Sequence, residues 1–330
     1  MLRYLACLPV LLVLTLPAEG KVRRPKAPAR VQFDRAVVNN PKTTPDLVQK
    51  AAGPGVLRAQ VLLDRAHFSI GEIDGVMGTN ALHAVAGFRA ARGLPSGNSI
   101  DAEVWKALNV DSAPALVEYA LSENDVKGPF VPIPADMMAK AKLTRLGYAS
   151  PLEGIAEKFH ISPALLQKLN PGKSFKDPGQ KIFVPNVSAV LEAKAARVIV
   201  SKSDSIVKVL DDAGKVIAQY PATSGSEHDP LPIGEWQITG VFKNPKFNYN
   251  PDLFWDANPK DTKASIPAGP NNPVGVVWID ISKEHYGIHG TPSPALIGHA
   301  ESHGCIRLTN WDALELAGMV AKGTPLSLTE

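Results

Sequence analysis

This chain has few cysteines, a small net charge and few long apolar segments. The 330 residues include two cysteines, Cys7 and Cys305, and the formal net charge is only +3. So small a charge gives no support to nucleic-acid binding as the main function. After the first twenty residues no segment is long and apolar enough to cross a membrane. The apolar share of 45% is normal for a globular protein, and the length allows two or three domains.

The N-terminus has the pattern of an export signal. Arg3 supplies a small positive charge, an apolar run extends from Leu5 to Leu16, and small residues follow. A membrane anchor is the alternative, but a spanning helix needs about 20 apolar residues and this run contains Pro9. We therefore expect residues 1–20 to be a cleaved signal peptide, and the mature protein to be exported without stable membrane insertion. A short signal without a surface anchor favours a Gram-negative periplasm over an extracellular wall.

Export leaves Cys305 as the one thiol of the mature chain, without a disulfide partner. Such a cysteine is either a buried bystander or a reactive group.

Residues 21–45, which are basic and rich in proline, indicate a linker.

Residues 46–110 have the periodicity of a small three-helix bundle. Glycine-rich turns at Gly53 to Gly55 and at Asp74-Gly75 separate apolar residues that recur at helical spacing. The order of the IDG turn, Ala84 to Phe88 and the late Trp105 resembles the peptidoglycan-binding domain 1 family. This resemblance implies binding to the glycan strands of the cell wall, whereas a bundle without a ligand fits the periodicity equally well.

Residues 145–186 form a second small unit. Two short helices are predicted, one around Ile155 and one that starts at Ser162-Pro163, and "GQKIFVPN" predicts a closing strand. The segment resembles a LysM module, although "SPLEG" departs from the usual turn of that family. The resemblance implies a βααβ fold and recognition of N-acetylglucosamine-containing glycans.

From residue 194 to 330 the pattern changes to short alternating strands. Apolar positions on both sides of the Asp211 to Gly214 turn predict a hairpin, and Thr309 with Asp312 predicts a capping box for one C-terminal helix. We therefore predict a multidomain α+β protein whose catalytic domain is mainly β and sandwich-like.

The segment "YGIHGTPSPALIGHAESHGCIRLTN" combines groups that chemistry on a peptide carbonyl requires. Cys305 is a candidate nucleophile, and His289 is a candidate base that a loop of about fifteen residues could bring to the thiol. A carbonyl near Gly290 could orient the imidazole ring. The N–H groups of Gly304 and Cys305 could form an oxyanion hole. Arg307 suits either a substrate carboxylate or a structural salt bridge.

"IHGT" followed by "SHGCIRL" resembles the signature of L,D-transpeptidases of the YkuD type, and the likeness covers roughly residues 195–327. It implies that Cys305 attacks the L,D-peptide bond of a peptidoglycan stem peptide and forms a thioester. An amine on another stem or on a wall-anchored lipoprotein then resolves the thioester. His289 would act as base and acid, Gly290 would lend its carbonyl, and His303 would shape the oxyanion side. Ser302, in the same block, joins Arg307 as a candidate for substrate binding. No cofactor is implied.

Three other functions remain open at this stage. His289, His299, His303 and Cys305 could ligate a metal ion, but their spacing fits no common zinc pattern, and we expect no metal. The chain could instead be a non-catalytic wall-binding protein. An L,D-carboxypeptidase on the same scaffold would differ only in using water as the acceptor.

Overall fold

Two helical segments and a β-rich segment follow one another along the computed structural model, which describes residues 32–187 and 191–330. The predicted signal peptide and the first part of the predicted linker lie outside these residues. The first segment comprises α1 (Arg35–Asn39), α2 (Pro54–Arg65), α3 (Thr79–Ala91) and α4 (Ala102–Leu108). The second comprises β1 (Leu116–Ala120), α5 (Glu123–Val126), α6 (Met137–Ala141), α7 (Pro151–Lys158), α8 (Pro163–Leu169) and β2 (Lys181–Pro185).

The third segment contains eleven strands and one α-helix. The strands are β3 (Arg197–Ser201), β4 (Ile206–Leu210), β5 (Val216–Pro221), β6 (Thr223–Ser224), β7 (Gly234–Lys243), β8 (Phe247–Tyr249), β9 (Ala264–Ile266), β10 (Val277–Ile281), β11 (Gly287–His289), β12 (Ile306–Arg307) and β13 (Pro325–Thr329), and the helix is α9 (Asn310–Met319). Within the described ranges every helix is too short or too polar to traverse a lipid bilayer.

Helix α1 lies inside the range that we predicted as a linker. Asp34 caps it by accepting a hydrogen bond from the N–H of Ala36 at 2.7 Å. Val38 is fully buried in the helical core, and the Asn39 side chain exchanges two hydrogen bonds with the backbone of Leu116. The linker prediction therefore does not describe this part of the chain, because the buried Val38 side chain and the hydrogen bonds of Asn39 hold it in place.

The βααβ unit begins earlier than the predicted residue 145. β1 pairs antiparallel with β2, with Leu116 opposite Pro185. Residues 121–150, which include α5 and α6, separate β1 from the helices α7 and α8. Periodicity could not reveal this strand, because it has five residues and its partner is far away in the sequence.

The predicted helical unit and the βααβ unit share one hydrophobic core. Buried side chains from α2, α4, α7 and β2 belong to the same cluster, among them Val56, Trp105, Ile155 and Val184. A parallel bridge between Ile73 and Ile161 also joins the two units. The predicted boundary at residue 110 is therefore not a boundary between separate cores.

Nine of the strands in the third segment form one mixed sheet in the order β5-β4-β3-β13-β7-β10-β11-β12-β6. The two edge strands, β5 and β6, are separated in the chain by Ala222 alone, so the sheet must curl until its edges meet. The long strand β7 allows this, since its first half pairs with β13 and its second half with β10. Helix α9 packs on the buried valines and isoleucines of this sheet. The mainly β character of the C-terminal segment is confirmed.

Candidate active site

The strands β11 and β12 bring the predicted base and nucleophile to the same part of the sheet. They pair in parallel, with Ile288 opposite Ile306 and His289 opposite Arg307. Cys305 directly precedes β12, and its thiol lies 3.8 Å from the carbonyl oxygen of His285. Both His289 and Cys305 line a cavity of about 960 Å³.

His289 is held as a neutral imidazole. Its Nδ1–H donates a hydrogen bond of 2.7 Å to the carbonyl of Gly290, so the basic lone pair is on Nε2. The ring stacks on Trp278 with 5.5 Å between the centroids, and the residue is only 4% exposed. Burial lowers the pKa of His289 to about 4, the hydrogen bond to Gly290 opposes this shift, and the charge of Arg307 lowers the pKa further. The ring is therefore able to accept a proton at neutral pH.

Cys305 is held as a protonated thiol. Burial raises its pKa above the ordinary value, and Asp229 adds to that effect. The N–H of Gly287 and the charge of Arg307 partly oppose it by stabilising the thiolate. The thiol therefore needs a base before it can attack a carbonyl.

Gly304 occupies a backbone conformation that other residues rarely adopt. Its φ is +90°, and a β-carbon there would come within 2.6 Å of the Tyr286 ring. The turn into β12 consequently requires glycine at this position.

Ser302, which we expected to bind substrate, uses its hydroxyl inside the protein. It donates a hydrogen bond of 2.6 Å to the carbonyl of Cys305 and accepts one of 2.7 Å from the N–H of Gly225. The side chain is 3% exposed. Its position suits support of the loop that carries Cys305 rather than contact with a substrate.

His303 and Arg307 lie on the wall of the same cavity. The Nε2 of His303 is 2.8 Å from the carboxylate of Asp256, and the ring packs edge-on against Phe254. Arg307 donates a long hydrogen bond of 3.5 Å to the carbonyl of Glu301. Across the described parts of the chain no carboxylate is within ion-pair distance of the Arg307 guanidinium. This geometry favours a substrate carboxylate over a structural salt bridge.

His299 does not join the other histidines. It lines a separate cavity with Glu72 and Asn80 on the side of α3. The four ligands of the metal alternative are thus not gathered at one point. The residues that the structure describes contain no group of three or more His, Cys, Asp or Glu side chains arranged to hold a metal ion.

Several residues of this site have no recognisable signal in the sequence. Trp278 stacks on His289, the Asp256 carboxylate contacts His303, and Asp136 and Met137 from the second segment line the cavity. Asn310 packs against Gly290. Asn310 is the last residue of the segment that contains the Cys305 motif, and this position is the one clue to its role that the sequence offers.

Comparison with known proteins gives one consistent assignment for the C-terminal part. Residues 195–328 match the YkuD family, described as the L,D-transpeptidase catalytic domain. YkuD of Bacillus licheniformis, named as an L,D-transpeptidase, is 33% identical over 180 residues, which cover 54% of this chain and 93% of that protein. YbiS of Escherichia coli K12, also named as an L,D-transpeptidase, is 26% identical over 184 residues and 60% of its length.

Solved structures of L,D-transpeptidases are also similar to this chain. One from Mycobacterium smegmatis has a TM-score of 0.34 and 21% identity, over 46% of this chain and 64% of its own. Another from Xylanimonas cellulosilytica has a TM-score of 0.36 and 16% identity, over 86% of this chain and 99% of its own. On its family match and its similarity to the Bacillus YkuD protein, the chain belongs to the YkuD family of L,D-transpeptidases.

Proposed function

We propose that this protein acts on peptidoglycan stem peptides through a thioester on Cys305. The observation that carries the proposal is the cavity in which Cys305, His289 and Arg307 meet. A thiol, a neutral imidazole and a guanidinium group supply the nucleophile, the base and a receptor for a carboxylate. Family membership supports the transpeptidase class of the reaction.

The neutral thiol and imidazole define the first chemical step. His289 Nε2 takes the thiol proton as the Cys305 sulfur attacks the carbonyl carbon of the L,D-peptide bond after the third residue of a donor tetrapeptide. The N–H groups of Gly304 and Cys305 donate to the oxyanion. The C–N bond then breaks, the imidazolium returns its proton to the leaving nitrogen of D-alanine, and the thioester remains. The Gly290 carbonyl keeps the ring in the correct tautomer throughout.

The second step transfers the acyl group to an acceptor. An acceptor amine attacks the thioester carbon, His289 removes one proton from the nitrogen, and that proton passes to sulfur as the C–S bond breaks. We assign Arg307 to a free carboxylate of the stem peptide and His303 to the oxyanion side of the cavity. The acceptor is an amine of a second stem peptide or of a wall-anchored lipoprotein.

The segments upstream of the catalytic domain are proposed to hold the enzyme on its polymer. The three-helix part resembles a peptidoglycan-binding domain, and the βααβ unit resembles a LysM module in strand and helix order. The match to the Bacillus relative extends over 180 residues, or 54% of this chain. This is longer than the family match at residues 195–328, so the similarity also includes residues before the catalytic domain. We propose that both units bind glycan strands in the periplasm after export.

Incubation of the purified protein with tetrapeptide muropeptides tests the proposal directly. We expect release of D-alanine and formation of cross-linked products, together with a single covalent adduct on Cys305 after exposure to a carbapenem. Cys305→Ala should give no product and no adduct, and retained product formation in this variant would falsify the nucleophile assignment. Release of D-alanine without a cross-linked product would identify a carboxypeptidase instead.

A further inference from the structure

Asn310, the first residue of α9, lies between the catalytic strand β11 and the βααβ unit. It is 1% exposed. Its Oδ1 accepts a hydrogen bond of 3.1 Å from the N–H of Val276, and its Nδ2 donates to the carbonyl of Pro270 at 3.2 Å. The same Nδ2 lies 3.1 and 3.2 Å from the two carboxylate oxygens of Glu157. One buried amide therefore joins α9 to the backbone at Pro270 and Val276 and to Glu157 of the second segment.

The Asn310 amide is also in direct contact with the residue that orients His289. A β-carbon on Gly290 would overlap Asn310 Oδ1, and the same holds for Gly275. The backbone of Gly275 and that of Gly290 therefore pack directly against Asn310 Oδ1, and neither position has space for a side chain. Because the Gly290 carbonyl accepts the hydrogen bond from His289 Nδ1, a shift of the Asn310 amide would disturb the backbone that carries this acceptor.

Glu157, which contacts the Asn310 amide, belongs to the βααβ unit. It lies at the end of α7, outside the residues 195–328 that match the catalytic family. Its carboxylate also accepts a hydrogen bond of 3.0 Å from the Tyr148 hydroxyl, so the carboxylate is itself held in place. The support of the catalytic histidine therefore includes a side chain from the βααβ unit.

We propose that Asn310 is a positioning residue for His289, and that Glu157 makes this positioning depend on the docked βααβ unit. The inference rests on the proposed function, in which His289 moves the proton of Cys305. Loss of the amide would let Gly290 and the imidazole shift while leaving Arg307 in place. The chemical step should then slow, and substrate binding should change little.

Steady-state release of D-alanine by Asn310→Ala tests the positioning role. We expect kcat to fall by about ten- to hundredfold, the scale of a small misplacement of a catalytic group, with KM within about twofold of the wild-type value. Asn271→Ala is the matched control. The Asn271 Nδ2 joins the same two units through Glu153 at 2.7 Å and the Gly147 carbonyl at 2.9 Å. This control should retain most of kcat.

A pair of substitutions at Glu157 keeps the test decisive if Asn310→Ala does not fold. Glu157→Gln retains an oxygen that can accept from Asn310, and it should keep kcat near the wild-type value. Glu157→Ala should lower kcat as Asn310→Ala does. The proposal is overturned if Asn310→Ala loses no more kcat than Asn271→Ala, if the loss appears in KM, or if the two Glu157 variants behave alike.

Acylation of Cys305 by a carbapenem, followed by mass spectrometry, separates this inference from the proposed function. Failure of the wild-type protein to form an adduct on Cys305 would contradict the proposed function itself. An adduct that forms as fast in Asn310→Ala as in the wild type would contradict the positioning role alone.

Discussion

At the scale of single residues, the reactivity of Cys305 depends on two pKa values that burial moves in opposite directions. Burial disfavours the charged form of each group, so it lowers the pKa of His289 to about 4 and raises that of Cys305. Between these two values the free enzyme contains a neutral thiol and a neutral imidazole that line the same cavity. It therefore differs from cysteine enzymes that store a thiolate and imidazolium pair in the resting state.

Alkylation of the thiol by iodoacetamide should follow this arrangement. Because only the thiolate reacts, the rate should rise once with pH, with a midpoint above the ordinary thiol value of about 8.5. His289→Asn should keep this profile, since ionisation of the free thiol at high pH does not need the imidazole, yet it should abolish turnover. A reactive plateau between about pH 5 and 7, typical of a thiolate and imidazolium pair, would contradict the prediction.

At the scale of elements, the turn into β12 places Cys305, the proposed nucleophile, and tolerates only glycine at Gly304. Two separate features exclude a side chain at this position: the positive φ of +90° and the close approach of the Tyr286 ring. Gly323 has nearly the same φ, +92°, but its β-carbon position is open, with no other atom within 4 Å. The two glycines therefore allow backbone strain to be separated from steric overlap.

Gly304→Ala and Gly323→Ala should differ in both stability and reactivity. Each should lower the free energy of unfolding by about 1–3 kcal/mol through backbone strain. Gly304→Ala should cost more, because the Tyr286 ring must move, and it should slow acylation of Cys305 by a carbapenem at least about tenfold as the thiol is displaced. Urea denaturation and intact-mass kinetics measure the two effects. Equal losses in both variants would mean that the contact with Tyr286 is unimportant.

Elements with strong local patterns were predictable from the sequence. The hairpin of β4 and β5 forms around the Asp211 to Gly214 turn, and Thr309 caps α9 by accepting from the N–H of Asp312 at 3.1 Å. The second half of the predicted capping box is absent, because the Asp312 carboxylate accepts from the Ser69 hydroxyl instead of the Thr309 N–H. The hairpin and the Thr309 cap both depend on residues a few positions apart. The Cys305 motif was likewise visible because its groups are close in the chain.

Contacts between distant residues were not predictable. The strand β1 is five residues long and forms only by pairing with β2. The helices α5 to α8 separate the two strands in the chain. Asn310 and Glu157 are 153 positions apart, and neither has a spacing that would suggest a pair. The support of the active site therefore had to be found in the structure, because tertiary packing alone creates it.

At the scale of the whole molecule, three segments meet at a cavity of about 240 Å³ that contains many ionisable groups. His160 Nδ1 is 2.9 Å from the Asp64 carboxylate, and the His160 ring stacks on Trp311. The Ser69 hydroxyl donates a hydrogen bond of 3.0 Å to Asp312. Helices α2, α7 and α9, from all three segments, supply lining residues. The charge state of this junction therefore affects the stability of the entire fold.

Asp312 gives the junction a defined dependence on pH. Burial raises the pKa of its carboxyl to about 7, against the opposing effects of Thr309, His160 and Ser69. In the unfolded chain the value is about 3.9. The folded state thus binds a proton that the unfolded state has lost between these two values. The contribution of Asp312 to stability is fully present below about pH 4 and is lost as the pH rises through about 7.

Asp312→Asn should remove this pH dependence while keeping an oxygen that accepts from Ser69. The free energy of unfolding, measured by urea denaturation from pH 4 to 8, should fall less steeply with pH in the variant than in the wild type.

Buried His289 acts in the opposite direction, because its pKa of about 4 in the fold makes stability rise with pH up to about 6.5. The effect of His289 is common to both proteins, so it cancels in the difference between the two curves. The difference should grow from pH 4 to 7 and then level off. A flat difference for Asp312→Asn would show that its carboxyl ionises normally in the fold.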